Sequence, residues 1–170
     1  SLNIAGPFFG VYLVSTLKAS ASFVGALAVI NGLAALPGQR LAGILADRWG
    51  PRRVQLISGL LIPFVPWMWA LSRAPWQVIP AEIASGFLWA GYGLASFNFL
   101  LTLTPPARRA RYTALYQIVV TAALALGAAA GGLIATRWSY ATTMVVSGVG
   151  RLGAAVLFAK FVEQEPLDDN

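Results

Sequence analysis

Two ionisable side chains, Glu82 and Arg151, stand inside stretches of the sequence that are otherwise apolar. If these stretches cross a bilayer, each charge near a span centre costs about 2.5 to 3.5 kcal/mol, so both side chains are expected to face protein or water. Glu82 could bind a proton or a cation during coupled transport. Alternatively, Glu82 and Arg151 could form an ion pair that braces two helices.

Polar and aromatic side chains recur on both sides of Glu82 at helical spacing. Intervals of three and four residues place them on one face of a helix, which we expect to look at a cavity or a neighbouring helix rather than lipid. Trp89 and Tyr92 could stack on and hydrogen-bond to an amphipathic ligand, although simple packing is the alternative. The stripe consists of Glu82, Ser85, Trp89, Tyr92 and Ser96.

Three further polar residues, Tyr12, Asn31 and Gln117, occur in separate apolar stretches. Hydrogen bonds between helices would explain them, and contact with a solute is the other interpretation.

The amino-acid composition argues against an enzyme and against a metal-binding protein. The chain has no histidine and no cysteine, so Ser-His pairs, Cys-His pairs and His/Cys metal sites are excluded. Glu82 is the single acid in any predicted span, and a carboxylate dyad needs two. The net charge of +6 comes from short basic clusters between uncharged stretches rather than from one basic face, which argues against nucleic acid. We therefore expect no catalytic residues, no metal and no cofactor.

The elements that must hold these side chains are long apolar helices. Of the 170 residues, 58% are hydrophobic and 11% are charged, against about 25% charged in soluble domains. Spanning about 30 Å of hydrocarbon takes about 20 residues of helix, and the stretches lack the alternation of a β-barrel strand. The sequence therefore predicts an all-α, six-helix membrane bundle in the lipid bilayer, with an acidic tail at 163–170. The predicted helices cover about 1–17, 20–43, 52–72, 76–104, 110–135 and 139–162.

The distribution of basic residues predicts the orientation. The even-numbered connections and the tail hold eight Lys and Arg residues, and the odd-numbered connections hold three, so both termini are predicted to be cytoplasmic. The eight are Arg40, Arg48, Arg52, Arg53, Arg108, Arg109, Arg111 and Lys160, and the three are Lys18, Arg73 and Arg137.

The second connection, GILADRWGPRR at residues 43–53, is dense in glycine and charge. Gly43 could let two helices approach closely, while Gly50 and Pro51 predict a tight turn before a helix that starts at Pro51. Asp47 could pair with the neighbouring arginines or face the positive end of another helix, and two exclusive contacts would make a latch. A basic cytoplasmic loop with an incidental aspartate is the alternative.

This segment resembles the signature G-x-L-A-D-R-x-G-x-R-[KR] of major facilitator superfamily transporters. In that family the signature lies in the cytoplasmic loop between the second and third helices of a half built from 3+3 inverted repeats. The segment at 105–112 resembles the loop between the family's helices ten and eleven, and the opening residues resemble its helix seven. These features imply a C-terminal half whose N-terminal six-helix half is missing. The matching residues are Gly43, Leu45, Ala46, Asp47, Arg48, Gly50, Arg52 and Arg53.

The resemblance implies secondary active transport of a small solute by alternating access, with proton-coupled efflux as one form. It implies a multi-pass protein of a prokaryotic plasma (inner) membrane, and it places Tyr12, Asn31 and Gln117 on helices that line the transport cavity. Two alternatives are a membrane scaffold that does not transport and a complete small six-helix protein.

Overall fold

The computed structural model describes residues 4–162, and this part of the chain contains helices and no strands. Seven α-helices follow one another, with single 3-10 turns at Pro75–Val78 and Pro106–Arg108. The predicted tail at 163–170 and the first three residues lie outside the described part. The helices are α1 Phe8–Ser15, α2 Ala21–Trp49, α3 Pro51–Leu61, α4 Phe64–Leu71, α5 Ile79–Thr102, α6 Arg109–Arg137 and α7 Tyr140–Phe161.

Local sequence signals set the helix ends. Ser20 and Ser139 each accept a hydrogen bond at their side-chain oxygen from a backbone N–H three residues later, at 3.3 Å and 3.1 Å, and so cap α2 and α7. Between α2 and α3 stands the single residue Gly50, whose φ of 82° suits glycine, and Pro51 then opens α3.

The observed helices differ from the predicted ones in three places. The first helix begins only after Pro7, because proline lacks an N–H and is favoured at a helix start. The predicted helix 52–72 is interrupted between Leu61 and Phe64, where Pro63 and Pro66 each remove a backbone donor. The second helix runs on to Trp49 instead of ending at residue 43, so most of the arginine-rich segment is helical.

Four helical segments of the described chain are long and apolar enough to cross a membrane. In the second helix and in the segment 106–137, only 11% of the most apolar 18-residue stretch is buried inside the protein. Most of the apolar side chains of these two segments therefore face outward, as lipid requires. The 24-residue α5 is not one of these four, although it is also long enough to cross a membrane. The four segments are Ala21–Trp49, Pro51–Leu71, Pro106–Arg137 and Tyr140–Phe161.

Helices α2 and α5 pack with almost no space between their backbones. A Cβ atom added to Gly86 on α5 would collide with the carbonyl oxygen of Asn31 on α2, and one added to Gly38 on α2 would collide with the backbone of Phe87 on α5. These two glycines therefore allow the close approach of the two helices.

Gly43 does not have the role in close approach that we predicted for it. A Cβ atom at Gly43 would lie 3.8 Å from the Leu94 side chain, which is an ordinary van der Waals contact. The close contact lies nearer the middle of the helices, at Gly38 and Gly86.

Candidate functional site

The arginine-rich turn, residues 43–53, connects α2 to α3 through the single non-helical residue Gly50. Gly50 has φ 82° and ψ 149°, a conformation that is open almost only to glycine. The side chains of Ala42, Ala46 and Val54 are buried beside the turn, against Ala95 of α5. The turn therefore rests on a small apolar cluster, and its charged residues project from that base.

Arg52 binds the end of α7 rather than Asp47. Its Nε donates to the carbonyl oxygen of Val162 at 2.6 Å, and its Nη2 lies 3.4 Å from the carbonyl oxygen of Ala159. The last carbonyls of a helix lack partners within the helix and carry partial negative charge, so a guanidinium stabilises them. Sequence reasoning missed this contact, because no local pattern relates residue 52 to residue 162.

The predicted pairing of Asp47 with the neighbouring arginines is absent from this structure. Asp47, Arg48 and Arg53 are all exposed, and within residues 4–162 no ion pair joins Asp47 to an arginine. The latch hypothesis, which needs two alternative contacts for Asp47, therefore stays a prediction.

Glu82 is held by Asn31, across the close contact of α2 and α5. The Nδ2 of Asn31 donates to Oε2 of Glu82 at 2.7 Å and also lies 3.2 Å from the backbone oxygen of Glu82. The carboxylate thus has a neutral partner, and the alternative of an ion pair between Glu82 and Arg151 is not seen in this structure. Because Gly86 lies one turn after Glu82 and contacts Asn31, the packing of the glycine sets the geometry of this hydrogen bond.

Trp89 and Tyr92 face a cavity between α3, α5 and α7. Their rings meet edge to face with centroids 5.7 Å apart, and the Arg151 guanidinium carbon lies 5.3 Å from the centre of the Trp89 ring. The cavity has a volume of about 160 Å³. The other residues that line it are Gln55, Leu56, Gly59, Ile62, Ala154, Ala155 and Phe158.

The remaining candidates lie apart from this cavity. Tyr12 is 6% exposed, and its hydroxyl donates to the carbonyl oxygen of Ser72 at 3.0 Å, which ties α1 to the end of α4. Gln117 is exposed on α6, where it borders a shallow groove together with Thr121. The six predicted substrate-contact residues therefore occupy four places: the contact of Asn31 with Glu82, the cavity, the core near Tyr12, and the outer face of α6.

Comparison with known proteins gives one family. The family model described as the Major Facilitator Superfamily matches residues 1–169, which is nearly the whole chain. No curated protein matches the sequence.

Proposed function

Because this chain belongs to the major facilitator superfamily, we propose that it is a six-span half of a secondary transporter that moves a small solute by alternating access. In this motion the helices of this chain rock against a second six-helix unit. The chain is an integral membrane protein, and we place it in a prokaryotic inner membrane with both termini in the cytoplasm, as the distribution of arginines favours.

The observation that best supports a second unit is the polar strip on the outer face of α6. Gln117 and Thr121 are both exposed there, one helical turn apart. Ile118, next to Gln117, is 64% exposed, so the other described helices do not cover this part of α6. An amide on a lipid-facing surface would have no hydrogen-bond partner, so this face needs water or protein against it. A water-filled cavity between this face and a second unit would supply both the water and the protein.

Coupling to protons is the specific form of transport that we propose, with efflux as its direction. Its support is Glu82, an acid in the first turn of the apolar helix α5, whose side chain has the neutral amide of Asn31 as its hydrogen-bond partner. A carboxylate in such a position can gain and lose a proton without breaking an ion pair.

The alternative function, a scaffold that does not transport, makes a different prediction for accessibility. The chain has no cysteine, so single cysteines can be introduced without removing others. We propose to measure the rate at which a membrane-impermeant maleimide labels Gln117→Cys in oriented vesicles, with and without an imposed proton gradient. The matched control is Leu126→Cys on the same helix, where the native side chain is 70% exposed.

Alternating access predicts that the gradient changes the labelling rate at position 117 and leaves position 126 unchanged. The additional variant Glu82→Gln should remove this response if Glu82 couples protons, while Ser85→Ala, on the same face of α5, should keep it. A rate at position 117 that never responds to the gradient would favour the scaffold. A response that survives in Glu82→Gln would remove only the coupling role.

A further inference from the structure

Arg151 is a buried cation without a partner in the described chain. It lies near the middle of α7 and is 4% exposed. Its Nε and Nη1 atoms are buried and make no hydrogen bond with any described residue. Burying a charge is costly unless it is paired and hydrogen-bonded, so this side chain requires a compensating group.

No carboxylate among residues 4–162 supplies that group. The described part of the chain contains two acids, Asp47 and Glu82. Asp47 is exposed at the end of α2, and Glu82 accepts its hydrogen bond from Asn31. The contact that Arg151 does make is with the face of the Trp89 ring, at 5.3 Å, which attracts a cation but accepts no conventional hydrogen bond.

Arg151 instead lines the cavity between α3, α5 and α7. A second buried polar atom in the lining, Oε1 of Gln55, also has no partner among the described residues. Most of the other lining side chains are aromatic or aliphatic, including Tyr92 and Phe158. The cavity therefore combines one buried positive charge with apolar walls, which is the arrangement of a site for an anion that has an apolar body.

The volume limits the size of that anion. At about 160 Å³ the cavity is smaller than the roughly 300 Å³ at which sites for drug-sized ligands begin. An apolar cavity of roughly 150 Å³ holds benzene, so one aromatic ring fits a space of this size.

We propose that this cavity binds a small aromatic monocarboxylate, about the size of benzoate. The carboxylate accepts hydrogen bonds from the guanidinium of Arg151, and the ring packs among Trp89, Tyr92 and Phe158. A guanidinium is suited to this task because it presents several N–H donors in one plane. The proposal concerns binding alone, so it holds whether or not the bound anion is the transported solute.

Binding can be measured on the unmodified protein in nanodiscs of a zwitterionic lipid. The probe is 4-fluorobenzoate, observed by ¹⁹F NMR and displaced by unlabelled competitors. Benzoate should displace it, whereas the uncharged benzyl alcohol should be weaker by about tenfold or more, since a hydrogen bond to a charged group is lost. Inorganic phosphate, which has charge but no apolar body, should not displace the probe at the concentrations at which benzoate does.

Substitution of the arginine locates the site. Arg151→Gln should weaken binding by about tenfold or more, and Arg151→Lys should restore part of it, because lysine keeps the charge but loses the planar donors. The matched control, Arg137→Gln, removes an exposed arginine at the end of α6 and should bind the probe like the unmodified protein.

Several results would overturn the proposal. They are the absence of saturable probe binding, equal displacement by benzyl alcohol or phosphate, and unchanged binding in Arg151→Gln. Loss of binding on addition of anionic lipid to the nanodiscs would also overturn it, because a lipid headgroup would then be the occupant. If Arg151→Gln fails to fold, the competition series on the unmodified protein still decides. None of these measurements uses transport, so a failure here is separate from a failure of the proposed function.

Discussion

Replacement of Gly86 by alanine tests the close packing of α2 on α5. The added methyl group would collide with the carbonyl oxygen of Asn31, which is backbone and cannot move aside alone. Overpacking of this kind costs about 1 to 3 kcal/mol. Alanine also gains about 1 kcal/mol over glycine in helix propensity, which partly offsets this cost. The same propensity gain occurs in Gly93→Ala on α5, where nothing lies within 4 Å of an added Cβ.

The difference between the two variants therefore isolates the collision. We expect Gly86→Ala to be less stable than Gly93→Ala by about 1 to 3 kcal/mol, and by more if the shift of Asn31 also breaks its 2.7 Å hydrogen bond to Glu82. The assay is unfolding by sodium dodecyl sulfate in mixed micelles, followed by the fluorescence of the native tryptophans. If both variants unfold at the same mole fraction of dodecyl sulfate, the described contact between the two helices is incorrect.

Three predictions concern the arginine-rich turn. Gly50→Ala should lower stability by about 1 to 3 kcal/mol in the same unfolding assay, because φ at this residue is 82°; a neutral effect would contradict the turn geometry. Arg52→Ala should cost about 1 kcal/mol and speed hydrogen exchange at the end of α7, while Arg53→Ala, an exposed neighbour, should do neither. In the transporter assembled with its second six-helix unit, Asp47→Asn should impair transport while expression stays intact, and a normal solute flux in that variant would refute the latch hypothesis.

The sequence predicts the all-helical fold well because membrane spans carry a strong compositional signal. The predicted starts of the second and last helices follow from the uncharged stretches after Lys18 and Arg137, and they fall within a residue of the observed ones, where Ser20 and Ser139 are the N-caps. The break between α3 and α4 was harder to predict. Prolines at positions 63 and 66 indicate a disturbed helix, but local sequence does not decide between a kink and an interruption.

The site was less predictable, because its contacts join residues far apart in the chain. Helical spacing predicts that Trp89 and Tyr92 share a face, and both line the cavity. The same spacing also includes Glu82, whose partner turned out to be Asn31 on α2. Which of two opposite charges finds a partner depends on the packing of the helices, so the sequence left the ion pair of Glu82 with Arg151 open as an alternative, and the structure shows Glu82 bound to Asn31 instead. The contacts of Arg52 with α7 were unpredictable for the same reason.

The most direct test of the account is the sidedness of the two ends of α5. This helix is not among the four segments long and apolar enough to cross a membrane, and six crossings with cytoplasmic arginine-rich turns require both α5 and the segment that contains the short α1 to span it. Arg73 precedes α5 and Arg109 follows it, and both are exposed, so each can be replaced by cysteine and labelled with an impermeant maleimide in intact cells. The account predicts labelling of Arg73→Cys from outside and labelling of Arg109→Cys only after the membrane is permeabilised. Labelling of both positions from the same side would contradict it.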